Sequence, residues 1–198
     1  MTSSTKGPHP RSRPGIPSLP GAWLAVIDMQ LAFQEPTSDW CVPRYDEAAV
    51  LVGRLAAACH RRTVWTRFVR DPHEQGAWSA YYDRWASFRL AADSPTWDLT
   101  FAVPTEEPVV SLPTFSKWGP ELAAATASDQ PLIVCGVATD CCVLSTVLGA
   151  VDAGRSVVVA TDACAAVSDE AQMQTLALLD LLYPMVRLAT TEEVLAHL

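Results

Sequence analysis

The sequence PLIVCGVATDCCVLSTVLGAVDAG, residues 131–154, places two adjacent cysteines between an apolar run and a helical pattern. The run 131–137 is typical of a buried strand, and the residues from about 140 to 153 predict a helix that Gly154 ends. Backbone N–H groups in the first turn of a helix have no partner within the helix, so they stabilise a thiolate and can hold an oxyanion. Cys142 is therefore a candidate nucleophile, although a cysteine in a reduced chain is more often a structural residue.

Short apolar runs alternate with helical patterns over the rest of the chain, and this alternation predicts the fold class. Besides 131–137, we predict strands at 22–30, 63–69, 108–113, 156–162 and 185–189. Further helices are predicted at 46–62, 76–90, 120–127 and 169–183. We expect Ser168 to cap the helix that follows it, and Thr190 with Glu193 to form a capping box for a last helix. Six strands alternating with helices indicate an α/β fold with a doubly wound, mostly parallel sheet.

The residues at the carboxyl ends of the strands are the candidates for chemistry, because ligands bind there in doubly wound sheets. Asp28 follows the first strand, where a carboxylate among apolar residues is costly to bury unless it is paired, and where it could act as a general base or as a turn former. Lys117 is the one lysine outside the first twenty residues. It could neutralise Asp28 and a developing oxyanion, or be an exposed cation without a role. Arg67 and Asp162 lie at two other strand ends.

The composition indicates one compact, acidic domain. The chain has 198 residues, of which 49% are hydrophobic and 18% charged, and its net charge is −8 at pH 7. A chain this acidic lacks the positive surface that binds nucleic acid or anionic lipid, and no apolar stretch reaches the roughly 20 residues that span a bilayer. We expect a flexible Pro-rich leader over 1–20 without a signal-peptide core, and a single cytoplasmic domain over 21–198. There the six cysteines stay reduced, and without a CxxC pair we expect no metal and no other cofactor.

Two segments carry a resemblance to a known family. AVIDMQLAF (25–33) and VCGVATDCCVLSTVLGAVDAGRSVVVATDAC (134–164) resemble the isochorismatase-like cysteine hydrolase superfamily. Its members include nicotinamidases, N-carbamoylsarcosine amidohydrolases and isochorismatases. The resemblance covers most of 22–189 and implies a three-layer α/β/α sandwich that assembles as a homo-oligomer, a dimer or a tetramer.

The resemblance also implies roles for the motif residues. The aspartate of the family's D-x-Q pattern falls on Asp28, and the cysteine of its G-V-x-T-D-x-C-V pattern falls on Cys142, with Cys141 at the variable position. The family commonly has a cis peptide bond before the residue that matches Ala138. That bond would turn the N–H groups of Ala138 and Cys142 into an oxyanion hole.

This chain departs from the family pattern at two places. The family lysine usually ends the third strand, where this chain has Leu112, so either Lys117 reaches back into the site from the following loop or the lysine role is altered. We expect the first arrangement. Nicotinamidases carry a metal-binding D-x-H pattern after the second strand, but Phe68 and Arg70 stand at those ligand positions here and only His73 is near. The resemblance therefore implies an enzyme without a metal.

A cysteine at 142 favours acyl transfer, because a thioester intermediate splits one difficult step into two. We predict hydrolysis of a small non-peptide amide or a related C–N bond, with Asp28 as general base and acid and Lys117 assisting. The alternatives are isochorismatase-type hydrolysis of a vinyl ether, which needs Asp28 but no thiol, and a non-catalytic binding subunit. Aromatic residues would wall the pocket of this small-molecule substrate, although aromatics at helical spacing are more often core. The predicted substrate-binding residues are Phe33, Trp78, Tyr82, Trp85 and Trp118, with Tyr81 in the same aromatic segment.

Overall fold

The computed structural model describes residues 15–127 and 129–198, and these residues form one six-stranded sheet. Its strands are β1 Trp23–Ile27, β2 Thr63–Phe68, β3 Val109–Leu112, β4 Leu132–Val137, β5 Val157–Ala165 and β6 Val186–Ala189. Their order is β3-β2-β1-β4-β5-β6, and every neighbouring pair is parallel. The predicted α/β fold is confirmed, with an all-parallel sheet instead of a mostly parallel one. The predicted leader lies outside the described residues up to residue 14.

The helices connect the strands across both faces of the sheet. They are α1 Leu31–Gln34, α2 Tyr45–Ala58, α3 Ala77–Arg84, α4 Pro120–Ala125, α5 Leu144–Asp152, α6 Asp169–Asp180 and α7 Thr191–His197. Because crossovers between parallel strands are right-handed, the strand order puts α2 on one face and α5 and α6 on the other. The helix α7 packs beside α2. No helix in the described part of the chain combines the length and the apolar character that crossing a membrane requires.

The helix ends follow the predicted capping signals. The Ser168 hydroxyl accepts a hydrogen bond from the Ala171 N–H at 3.1 Å, and Thr190 and Glu193 form the reciprocal capping box. The predicted helix over 76–90 is wrong in its second half, because α3 ends at Arg84 and a 3₁₀ turn over Ala86–Phe88 follows. Residue 85 leaves the helical region with φ −113° and ψ 54°, which ends α3.

Gly136 allows β4 to approach β1 closely at the centre of the sheet. Its φ is +112°, and a Cβ at this position would lie 2.1 Å from the carbonyl oxygen of Ile27. Only glycine adopts this conformation without strain, and only glycine leaves room for the neighbouring main chain. The approach brings the carboxyl ends of β1 and β4 together where the order of the strands reverses, which is where ligands bind in such sheets.

Replacing Gly136 by alanine is therefore expected to destabilise the fold by more than about 4 kcal/mol, because the added methyl group collides with main-chain atoms. Urea unfolding followed by circular dichroism measures the loss. Gly53→Ala is the matched control, since a Cβ there would lie 3.7 Å from Phe101, an ordinary contact, within α2. Helix propensity predicts a gain of about 1 kcal/mol for the control. A Gly136→Ala protein as stable as the original would contradict the close approach.

Candidate active site

Asp28 lies one residue beyond β1, fully buried, with φ +49°. Its carboxylate has a neutral partner and a charged one. The Thr66 hydroxyl donates to Oδ1 at 2.7 Å, and the ammonium of Lys117 lies 2.9 Å from Oδ2. Oδ2 accepts no well-aligned hydrogen bond within the described residues, so its remaining lone pair is available to another proton.

Lys117 reaches back to Asp28 from the loop after β3, as predicted for a chain whose third strand ends at Leu112. The ammonium is fully buried and also donates to the carbonyl oxygen of Thr114 at 2.5 Å. It lies 5.0 Å from the centroid of the Phe68 ring, which adds a cation–π contact. Burial alone would lower the pKa of Lys117, but the Asp28 carboxylate and the nearby thiols hold this pKa above its ordinary value. Lys117 is therefore a charged partner for Asp28 at neutral pH.

Cys142 lies in a π-helical turn over Thr139–Val143, which replaces the first turn of the predicted helix. The peptide bond between Val137 and Ala138 is cis, as the family resemblance implies. The Ala138 carbonyl accepts hydrogen bonds from the N–H groups of Cys141 and Val143, while the Ala138 N–H has no acceptor among the described residues. That N–H group is therefore available to an oxyanion.

A single hydroxyl connects the loop that carries Lys117 to the π-helical turn that carries Cys142. Thr146, in the first turn of α5, donates to the Cys142 carbonyl oxygen at 2.6 Å and accepts from the Lys117 N–H at 2.9 Å. Thr146 is fully buried, so water does not compete for these bonds. The hydroxyl fixes the backbone of both candidate residues relative to each other.

The thiols of Cys141 and Cys142 share a hydrogen bond that moves their pKa values apart. The bond lowers the pKa of Cys141, and the same bond together with burial raises the pKa of Cys142 well above its ordinary value. The positive charge of Lys117 opposes the rise at Cys142 without reversing it. The place of Cys142 at a helix start predicts a lowered pKa, whereas the neighbouring Cys141 thiol and burial raise the pKa of Cys142 above its ordinary value. A thiol with such a raised pKa stays protonated at neutral pH.

A cleft of about 560 Å³ leads to the two thiols. Phe33 and Trp85, two of the five predicted substrate-binding residues, line it together with Tyr81. Sequence reasoning missed three aromatic lining residues: Trp40, Phe68 and Phe115. Phe68 is the last residue of β2, whereas Trp40 and Phe115 lie in loops, where no periodic pattern marks them.

The other three predicted substrate-binding residues do not line this cleft. Trp78 and Tyr82 line a separate cavity of about 230 Å³, and the Tyr82 ring is almost completely buried. Trp118 contacts α5 at Gly149 and lies under the guanidinium of Arg155, 5.5 Å from its ring centroid. Tyr81 and Tyr82 point to different sides of α3 because adjacent helical residues are about 100° apart.

Two strand-end candidates have structural roles. Asp162 lies within β5, which extends three residues beyond the predicted end of this strand, and accepts hydrogen bonds from the N–H and the hydroxyl of Thr191 at the start of α7. Arg67 donates to the Ser111 hydroxyl on β3, away from the cleft. Neither side chain lines the cleft.

Gln30 is a positioning residue that sequence reasoning left without a role, although it belongs to the D-x-Q pattern. It is fully buried and donates to the carbonyl oxygens of Phe68 and Trp97 at 3.0 and 2.7 Å. Its amide oxygen accepts the Phe68 N–H at 2.8 Å. These bonds hold the segment after β1, and thus Asp28, against the end of β2.

The residues after β2 do not fit the metal site that the resemblance to nicotinamidases implies. Phe68 is a buried ring, and Arg70 pairs with Glu74. The His73 N–H donates to the Asp71 carboxylate at 2.9 Å. Within residues 15–127 and 129–198, no group of three or more His, Cys, Asp or Glu side chains is arranged to hold a metal ion.

Comparisons with known proteins find a matching family model and similar folds. Residues 22–193 match the model of the isochorismatase domain. A cysteine hydrolase from Pseudomonas syringae pv. phaseolicola is similar in structure, with a TM-score of 0.79 and 23% identity over 94% of this chain and 98% of that one. No curated protein matches the chain significantly.

Two further solved structures share the fold. The pyrazinamidase of Pyrococcus horikoshii, in complex with zinc, has a TM-score of 0.71 and 22% identity over 86% of this chain and 99% of that one. An isochorismatase family protein from Desulfovibrio vulgaris has a TM-score of 0.72 and 22% identity over 89% of this chain and 98% of that one.

Proposed function

Since the chain belongs to the isochorismatase family, we propose that it is a cysteine hydrolase that cleaves a small non-peptide amide, or a related C–N bond, through a thioester on Cys142. The observation that carries the proposal is the fully buried ion pair between Asp28 and Lys117, 2.9 Å apart, beside a cleft that ends at Cys142. Two structural neighbours, named as a cysteine hydrolase and a pyrazinamidase, agree with this class of reaction.

In the first half of the reaction Asp28 removes the proton from Cys142, whose raised pKa keeps it protonated in the resting enzyme. The thiolate attacks the carbonyl carbon, and the N–H groups of Ala138 and Cys142 bind the oxyanion. Protonated Asp28 then gives its proton to the nitrogen, the C–N bond breaks, and the amine leaves a thioester on Cys142.

In the second half Asp28 takes a proton from a water molecule, which attacks the thioester carbonyl. The carboxylic acid leaves when the C–S bond breaks, and the sulfur recovers the proton held by Asp28. Lys117 stays protonated throughout, since its raised pKa exceeds the working pH. Its charge offsets the negative charge that moves between the carboxylate, the sulfur and the oxyanion.

A panel of small amides and carbamoyl compounds tests this proposal by the release of ammonia or amine. We expect turnover of at least one compound, and quenched reactions analysed by mass spectrometry should show an acyl group on the Cys142 peptide. A panel without turnover and without an adduct would overturn the proposal. Saturable binding without turnover would instead favour a non-catalytic binding protein.

Vinyl-ether hydrolysis is the second candidate, because the buried pair of Asp28 and Lys117 could protonate such a substrate without a thiol. Full activity of Cys142→Ala on a vinyl ether, together with an inactive Asp28→Asn, would favour it.

We further propose that the substrate is a small molecule and that the chain forms homo-oligomers. Several apolar side chains around α6 are exposed, among them Met173 and Leu181 at 66% and 77%. Light scattering measures the oligomeric state.

A further inference from the structure

Arg84 is the one charged residue lining the cleft, among the described residues, whose side chain has no hydrogen-bond or ion-pair partner. The cleft is lined by three charged side chains, those of Asp39, Arg84 and Asp140. Asp39 accepts a hydrogen bond from the Ser87 hydroxyl at 2.6 Å, and Asp140 accepts one from the Val167 N–H at 3.2 Å. The Arg84 guanidinium makes no ion pair or hydrogen bond within the described part of the chain, so its donors are free to bind a ligand.

The acidic residues near Arg84 in sequence are bound to a different arginine. Arg89 pairs with Asp83 at 2.6 Å and with Glu74 at 3.1 Å. Arg84 instead lies over the ring of Trp85, 4.9 Å from its centroid. This cation–π contact leaves the N–H groups of the exposed guanidinium available to an anion in the cleft.

The walls of the cleft restrict the shape of the ligand. The rings of Phe33 and Trp40 stack with centroids 5.9 Å apart, and Tyr81 contacts Phe115 edge to face at 5.5 Å. These ring contacts hold the walls in place, so the cleft suits a flat apolar body. Its volume of about 560 Å³ falls in the range of small-molecule sites.

We propose that Arg84 is a specificity-determining residue that binds a carboxylate on the substrate, so that the enzyme prefers flat amides bearing a carboxylate remote from the scissile bond. The inference rests on the proposed function, since it names the substrate class of the same cleft. A guanidinium holds a carboxylate through two parallel hydrogen bonds, which a lysine cannot reproduce. Asp39 and Asp140 repel an anion, so the preference for a carboxylate depends on Arg84.

Three amides with the same ring test the proposal: benzamide, its 4-carboxy derivative and its 4-aminomethyl derivative. We expect Arg84→Gln to raise the KM of the carboxylated amide about 10- to 100-fold more than the KM of benzamide, because one charged hydrogen-bonded pair is lost. The kcat for the carboxylated amide should change much less than its KM, since Arg84 acts remote from the reacting atoms. Arg84→Lys should recover part of the loss.

Arg67→Gln is the matched control, because it removes the same charge from a side chain outside the cleft. Its KM for the carboxylated amide should stay at the wild-type value. A KM increase in Arg84→Gln that is equal for benzamide and its carboxylated derivative would overturn the proposal. A wild-type preference for the 4-aminomethyl derivative would also overturn it, and would assign the cleft to a cation.

Calorimetry separates this inference from the proposed function. The Cys142→Ala protein, which cannot form a thioester, should bind 4-carboxybenzamide, and adding Arg84→Gln should weaken the Kd about 10-fold or more. Such binding, together with no turnover of any amide of the panel and no adduct on Cys142 in the wild-type protein, would overturn the proposed function and leave the role of Arg84 standing. A Kd that is the same with and without Arg84 would overturn the role of Arg84 whatever the activity.

Discussion

The Cys142→Ala protein is expected to lose amide hydrolysis by a factor of at least about 10⁴, because the nucleophile is gone and the remaining groups act as a unit with it. Cys141→Ala is expected to keep activity within about threefold of the wild type, since residue 141 neither carries the acyl group nor contributes to the oxyanion hole. Steady-state rates of ammonia release on the best amide of the panel measure both. Thermal unfolding of the two variants should show that each is folded.

The two cysteine variants are close controls for each other, because each removes one sulfur from the same turn and breaks the same hydrogen bond. Removing Cys141 takes away the acceptor that raises the pKa of Cys142, so the optimum of kcat/KM should move to lower pH in Cys141→Ala. Equal losses in both variants, or a loss in neither, would contradict the assignment of Cys142 as the nucleophile.

Lys117→Met should destabilise the protein by about 3–5 kcal/mol, because it leaves the Asp28 carboxylate buried without a counter-charge. The double variant Asp28→Asn with Lys117→Met should recover most of that stability, since neither charge is then buried. Both variants should be inactive towards amides. Urea unfolding gives the stabilities, and ammonia release gives the rates.

The stability that the pair of Asp28 and Lys117 contributes to the protein also depends on pH. The pKa of Lys117 is higher in the folded chain than the ordinary 10.5, so its contribution to stability is complete below pH 10.5 and is lost as the pH rises through the folded value. The double variant should lack this alkaline loss. Recovery of stability by the double variant without recovery of activity separates catalysis from folding. A double variant as unstable as Lys117→Met would contradict the pairing.

The fold was predictable because its main signals are local. The buried run of β4, the Ser168 cap and the capping box of Thr190 and Glu193 each depend on residues close in sequence. The rule that ligands bind beyond the carboxyl ends of the strands selected Asp28, which lies one residue beyond β1 and pairs with Lys117, because the rule needs only the order of strands and loops. The same rule also selected Asp162, which caps a helix instead, so strand ends alone do not separate chemistry from structure.

The sequence does not predict all the residues that line the cleft, nor the pKa values of the two thiols. Trp40 and Phe115 reach the cleft from irregular segments, and tertiary packing rather than periodicity decides their direction. The raised pKa of Cys142 depends on a hydrogen bond to the adjacent sulfur, which a helix-terminus argument does not contain. The π turn itself follows from the Ala138 carbonyl accepting the Val143 N–H, five residues along the chain.

Lys117, whose ammonium pairs with Asp28, lies in a loop. A residue in a strand would instead have its position set by the pairing of neighbouring strands. A charge delivered by a loop can migrate along the sequence during evolution while it keeps its location in space. Alignments that compare residues column by column would score such relatives as having lost the lysine. Superposition on the buried carboxylate would instead show the ammonium at the same place.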